Sequence, residues 1–190
     1  MINSAYFLLH RSATARYAIL LWVIFIGLSV VIFNFGYIAR LEEHAQGNII
    51  LDNTFFFYTV DYVNQLFTTY GEEGRSLYLL HLLTFDFIYP ILFFVTNAVS
   101  LICLLNYLLP AAKITRHLHL LPLAPAMLDY LENFGILLLL AAYPNLHPWV
   151  VAATSLITMI KLSLVNILFL LTVAIAAGAA IKFVHQKIKQ

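Results

Sequence analysis

Four long apolar runs constrain this chain more than anything else in it. They cover about residues 15–39, 76–109, 120–142 and 149–183. A helix rises about 1.5 Å per residue, so each run can reach across a hydrocarbon layer about 30 Å thick. In lipid the backbone must satisfy its own polar groups, which leaves helices or closed barrels, and continuous rather than alternating apolar runs select helices. Of the 190 residues, 63% are hydrophobic and 10% charged, far more apolar surface than a soluble fold of this size can hide. The expectation is an all-α membrane protein. Four transmembrane helices form a bundle, residues 1–190 make one integral membrane domain, and the lipid bilayer is the partner. Phe35 and Tyr37 stand where a signal-peptide cleavage site would need small residues, so the first run is expected to be retained as a span.

Residues 40–75 form the one sizeable loop and hold much of the charge, including Arg40, Glu42, Glu43, Asp52, Asp61, Glu72, Glu73 and Arg75. Within it, Phe55, Thr59, Tyr62, Val63, Leu66, Phe67 and Tyr70 recur at helical steps opposite Asp61, Asn64, Gln65 and Thr68. This predicts an amphipathic interfacial helix over about 53–70, capped by Asp52 or Asn53 and ended by Gly71. The second run is longer than a bilayer needs and is expected to tilt, project or kink at Pro90. Pro125 is expected to free the carbonyl of Leu121.

Basic residues set the orientation. Arg11, Arg16, Lys113, Arg116, Lys182, Lys187 and Lys189 fall on one side, against Arg40 and Arg75 on the other. Both termini are expected in the cytoplasm, in the inner membrane of a bacterium. Tyr70, Tyr78, Tyr143 and Trp149 would form an outer aromatic belt.

Against this background, ionisable groups inside the runs are conspicuous. Asp129 and Glu132 lie three residues apart on one face of the third run. Asp86 lies in the second run and Lys161 in the fourth. Measured from the outer ends at 1.5 Å per residue, Asp86 is about 14 Å deep, Glu132 about 16 Å, Lys161 about 20 Å and Asp129 about 21 Å. All four therefore reach a similar layer on three helices. One stripe joins Arg75, Leu82, Asp86, Phe93 and Asn97. A second joins Pro125, Asp129, Glu132, Asn133 and Ile136, and a third joins Thr154, Thr158 and Lys161. Facing lipid instead of each other would cost about 2.5–3.5 kcal/mol per central charge. Three acids meet one base, so Lys161 can pair with one acid, and a second can share that cation or hydrogen-bond to Asn133, Asn97 or Tyr130. The surplus acid needs a proton, a cation, a ligand amine or water.

Several chemistries are excluded or disfavoured. A single cysteine, Cys103, rules out a disulfide framework and a CxxC pair. No basic stripe suggests nucleic acid. The histidines sit near the ends of the runs, His81 and His147 outside and His10, His117, His119 and His185 inside, which argues against haem. No cofactor or metal site is expected. In size the chain matches the four-span lipoprotein signal peptidases. It lacks their asparagine-then-aspartate-arginine motif, since Tyr130 follows Asp129 and Phe87 follows Asp86. The leading expectation is an outward-opening site for a small or lipidic ligand, with or without proton coupling, formed by Asp129, Glu132, Asp86, Lys161, Asn133, Asn97, Tyr130 and Thr158. The alternatives are an accessory subunit docking through Ala174 and Gly178 or the 40–75 loop, and an intramembrane lipid-modifying enzyme using the carboxylates as acid and base.

Overall fold

The computed structural model describes residues 14–109 and 115–189. The charges assigned above to Arg11 and Lys113, His10, and the side chain of Arg116 lie outside the described residues. The order is α1 (Ala15–Asn34), α2 (Tyr37–Ala45), a 3-10 turn (Leu51–Asn53), α3 (Val60–Leu83), α4 (Phe85–Leu108), α5 (Thr115–Leu118), α6 (Leu123–Ala142) and α7 (Pro148–Ile188). No strand occurs among the described residues. Four helical stretches are long and apolar enough to cross a membrane: Ala15–Ala45, Val60–Leu108, Leu123–Ala142 and Pro148–Ile188.

The Thr14 side chain caps α1 by accepting the Tyr17 N–H at 3.5 Å. Only Ile32 of this helix is buried, so most of its apolar surface faces outward. Two polar contacts hold it to α4. Trp22 Nε1 donates to Ser100 Oγ at 2.9 Å, and the Ser29 and Tyr89 hydroxyls meet at 3.1 Å. Lipid gives helices no hydrophobic reason to associate, so such contacts and close packing must do it. The α6–α7 pair is the most extensive helix contact. One core joins α2, the 50–58 segment, α3 and the ends of α6 and α7 next to the 143–147 turn, with Leu41, Leu51, Phe67, Ile136 and Val151 fully or nearly fully buried.

The segment after α2 departs from the expected layout. Helix α3 begins at Val60, not near residue 53, because the Thr59 side chain caps it by accepting the Tyr62 N–H at 3.3 Å. Phe55 lies ahead of the helix and is exposed, so it is not part of the buried helical face. Asp52 caps nothing; it turns inward. Val63, Leu66, Phe67 and Tyr70 do face inward, opposite exposed Asp61, Gln65 and Thr68.

Gly71 kinks α3 at φ 62°, a left-handed value that glycine adopts without penalty. Arg75 Nη1 then donates to the Phe67 carbonyl at 2.8 Å, the acceptor a regular helix would have offered residue 71. The second span also breaks at Thr84, whose hydroxyl donates back to Leu80 O at 2.6 Å. Arg75 therefore does not share a continuous helical stripe with Asp86; it lies over the Tyr143 ring. Tyr70 and Tyr78 are buried and do not belong to an aromatic belt, whereas Trp149 is exposed. Pro125 frees no carbonyl, because it falls in the first turn of α6 and Leu121 O accepts from Ala124 N at 3.3 Å.

Helix α7 has 41 residues, about 60 Å, so it must extend beyond a bilayer core. At its far end Lys182 Nζ donates to the carbonyls of Tyr107 and Leu108 at 2.7 and 3.2 Å. These are orphan acceptors at the C-terminus of α4, where a cation is favoured.

Candidate functional site

Pro90 shapes the α4 side of the site. Lacking an N–H, it cannot bond the carbonyl of Asp86 four residues earlier. Helix α6 supplies the missing donor, as Asn133 Nδ2 reaches Asp86 O at 3.3 Å. One residue on, Tyr130 Oη donates to Phe87 O at 2.7 Å while its ring packs edge-on against Phe87. Asn133 and Tyr130 thus tie α6 to two successive carbonyls of α4, the first of them freed by the proline. Asn133 and Tyr130 are committed to joining helices, as the alternative role for such residues in membranes predicts.

Lys161 of α7 occupies the centre. Its Nζ donates to Asp129 Oδ1 at 2.9 Å and also to Glu132 Oε2. The other oxygen, Glu132 Oε1, accepts from Thr158 Oγ1 at 2.5 Å. The Thr158 hydroxyl proton is directed at Glu132 and at the Thr154 carbonyl 3.0 Å away, so the Tyr58 hydroxyl at 3.4 Å acts as donor to Thr158. Burial raises the Tyr58 hydroxyl above its usual titration range, so it keeps its proton. The segment before α3 is pinned where Tyr58 N–H donates to Ser155 Oγ at 2.9 Å. Glu132 is fully buried, and each of its oxygens has a partner. This is the arrangement a buried ion pair needs for its desolvation to be offset.

The eight expected site residues therefore separate into three groups. Asp129, Glu132, Lys161 and Thr158 form one hydrogen-bonded cluster. Asn133 and Tyr130 tie α6 to α4. Asp86 and Asn97 remain. Asn97 is buried and donates to Phe93 O at 2.9 Å. The Asp86 carboxyl is outside ion-pair reach of Lys161 and makes no hydrogen bond among the described residues.

Asp86, Asn97, Asp129 and Lys161 all line one cavity of about 790 Å³. Its polar end also contains Asp52 and His81, neither of which was expected there. Asp52 is buried and its Oδ2 accepts from Tyr78 Oη at 2.5 Å, while Oδ1 has no hydrogen-bond partner among the described residues. His81 is no boundary residue either: it is 3% exposed and its Nδ1 is unpartnered among the described residues. His119 is likewise buried. The rest of the cavity is mostly apolar and runs toward Ala15 of α1 and Ala176 of α7 past Trp22, Phe25, Val165 and Leu168. Helix α1 packs chiefly on α4 and α2, leaving α7 across the gap. Ile19 of α1 and Phe169 and Val173 of α7 line the cavity yet are exposed, so it opens sideways between these two helices.

No family model matches the chain, and no match is found among curated proteins or among solved structures. Function has to be argued from this geometry. Among the described residues no group of three or more histidine, cysteine or carboxylate side chains is arranged to hold a metal ion. Gly178 faces Leu108 of α4, with ordinary van der Waals spacing for an added Cβ, while Ala174 of the same small-residue pair is exposed.

One signal in the sequence could have revealed Asp52. It directly follows Ile49, Ile50 and Leu51, an apolar triplet in a polar loop, and Ile50 and Leu51 are buried with it. A loop that buries Ile50 and Leu51 carries the next residue inward too.

Proposed function

We propose that the chain is a bacterial inner-membrane protein that binds a membrane amphiphile in the cavity between α1 and α7. The polar head would lie by Asp86, Asp129 and Lys161, and the chain would lie along Trp22, Phe25, Val165 and Leu168. The observation that carries this reading is that one cavity has buried charge at one end, an apolar length behind it and an open side toward lipid. Its volume falls within the range of about 300–1,000 Å³ usual for small-molecule sites. Lateral entry suits a ligand already dissolved in the bilayer. The 40–75 segment would cover the outer mouth, and both termini would face the cytoplasm.

The protein carries its own reporter. Trp22 lines the cavity, whereas Trp149, the other tryptophan, is exposed at the N-terminus of α7. In a Trp149→Phe background, a brominated alkyl amphiphile should quench Trp22 fluorescence saturably. Val165→Phe, which fills the apolar length, should weaken that binding several-fold. Quenching that grows linearly with the brominated chain and ignores Val165→Phe would remove the reading.

Orientation has a separate test. In a Cys103→Ala background, Gln65→Cys should react with a membrane-impermeant maleimide added to intact cells, and Lys187→Cys only after lysis. Both parent residues are exposed. The opposite labelling pattern would invert the proposed topology.

A further inference from the structure

The polar end of the cavity is over-supplied with acid. Asp52, Asp86 and Asp129 line it, and Glu132 sits behind Asp129. The one lysine in the cluster is already shared by Asp129 and Glu132. What faces the cavity beyond that pair is acceptor-rich. The Asp86 carboxyl has no hydrogen bond among the described residues. Asp52 Oδ1 and His81 Nδ1 are buried without partners there, in residues 8% and 3% exposed. His81 Nδ1 is an acceptor in the Nε2–H tautomer. Buried acceptors left unmade are costly, and buried carboxylates require a positive partner. No cationic side chain other than Lys161 lines this cavity among the described residues.

We infer that the amphiphile bound here has a protonated amine head, an alkylammonium seated among Asp86, Asp52 and His81 with its chain in the α1–α7 gap. This rests on the binding reading above and narrows it to one ligand class. An ammonium supplies a positive charge and several N–H donors, which match the acceptors that the fold leaves open. A carboxylate or phosphate head would meet Asp86 and Asp52 as like charges and would have to compete with Asp129 and Glu132 for Lys161. A neutral alcohol would fill the chain site but leave the acid surplus unanswered.

Competition against the brominated amphiphile at Trp22 distinguishes these heads on one chain length, using dodecylamine, dodecanol and dodecanoate with the full-length protein in detergent. Dodecylamine should compete at about tenfold or more lower concentration than dodecanol, the ratio expected for charge-assisted hydrogen bonds, and dodecanoate should be weakest. Asp86→Asn and, separately, Asp52→Asn should erase most of the amine advantage and leave dodecanol unchanged. Asparagine at 52 can still accept from Tyr78, and the Asp86 carboxyl holds no fold contact, so neither change should unfold the chain. Equal competition by all three heads, or preference for dodecanoate, overturns the amine assignment while leaving the chain site standing. If no head competes and no saturable quenching occurs, the binding reading itself falls.

Discussion

Lys161→Met is expected to lower the thermal midpoint of the purified protein by on the order of 10 °C. The lysine is 8% exposed and is the counter-ion for Asp129 and Glu132 together. Methionine fills a similar volume, so the loss is electrostatic rather than a cavity effect. Removing one member of a buried ion pair costs about 3–5 kcal/mol, because the remaining charge stays desolvated and unpaired. For a chain of this size each kcal/mol corresponds to about 2–4 °C. The triple variant Lys161→Met, Asp129→Asn, Glu132→Gln removes the three charges of the ion cluster together. Thr158 can still donate to the amide oxygen at 132, and neither acid that Lys161 paired with is left as an unpaired carboxylate. Its midpoint should return to within a few degrees of the starting protein. Unfolding followed in detergent by intrinsic fluorescence and gel filtration measures both. A triple variant no more stable than the single one would mean that Lys161 supports the fold by shape and not by charge.

The same comparison separates stability from binding. Asp129 and Lys161 face the cavity, whereas Glu132 and Thr158 lie behind them. The α6–α7 cluster is a neutralising foundation, and the acceptors that remain open belong to α4, to the end of α3 and to the 50–53 turn. The ligand is therefore expected to depend more on Asp86 and Asp52, and the fold more on Lys161 and Glu132.

Much of this arrangement was legible in the sequence because lipid simplifies inference. A charged group in an apolar run has few places to go, so similar depth on different helices forecast that Asp129, Glu132 and Lys161 meet. Helical spacing likewise put Asp86, Phe93 and Asn97 on one face, and all three line the cavity. What failed was inference outside the spans. Asp52 and His81 sit where depth from the run ends is small, and nothing local distinguishes a surface position from one covered by a folded loop. The loop covers them because Ile50, Leu51 and Tyr58 bury themselves against α7 and the core, a long-range event fixed partly by the Ser155 hydroxyl 97 positions away from Tyr58. Helix ends were misjudged for a related reason. Periodicity continued through residues 55–59 and 83–85, but the Thr59 cap and the Thr84 back-bond, each a single hydroxyl, set the boundaries.

Gly135 shows how a residue with no chemistry of its own can govern the cluster. A Cβ at 135 would overlap Thr154 Oγ1 and lie 2.8 Å from Thr154 Cγ2. Thr154 is nearly fully buried, branched at Cβ, and holds Val150 O through its hydroxyl at 2.8 Å, so it cannot swing aside cheaply. Gly135 lies one turn from Glu132, and Thr154 one turn from Thr158 and two from Lys161. Forcing α6 and α7 apart here stretches the contacts of Lys161 with both acids. Alanine in a helix interior normally gains up to about 1 kcal/mol over glycine, but overpacking costs about 1–3 kcal/mol and the strained ion cluster adds to that. Gly135→Ala should therefore lower the thermal midpoint by several degrees, and Gly135→Val by more. Gly27→Ala, with nothing within 4 Å of the added Cβ, should be neutral or stabilising. Adding Thr154→Ala to Gly135→Ala removes both atoms in closest conflict, so the double variant should be more stable than Gly135→Ala alone, although Thr154→Ala by itself loses a buried hydrogen bond and packing. That reversal of sign is the signature of direct coupling across the helix pair. Simple additivity of the two losses would place the α6–α7 approach elsewhere.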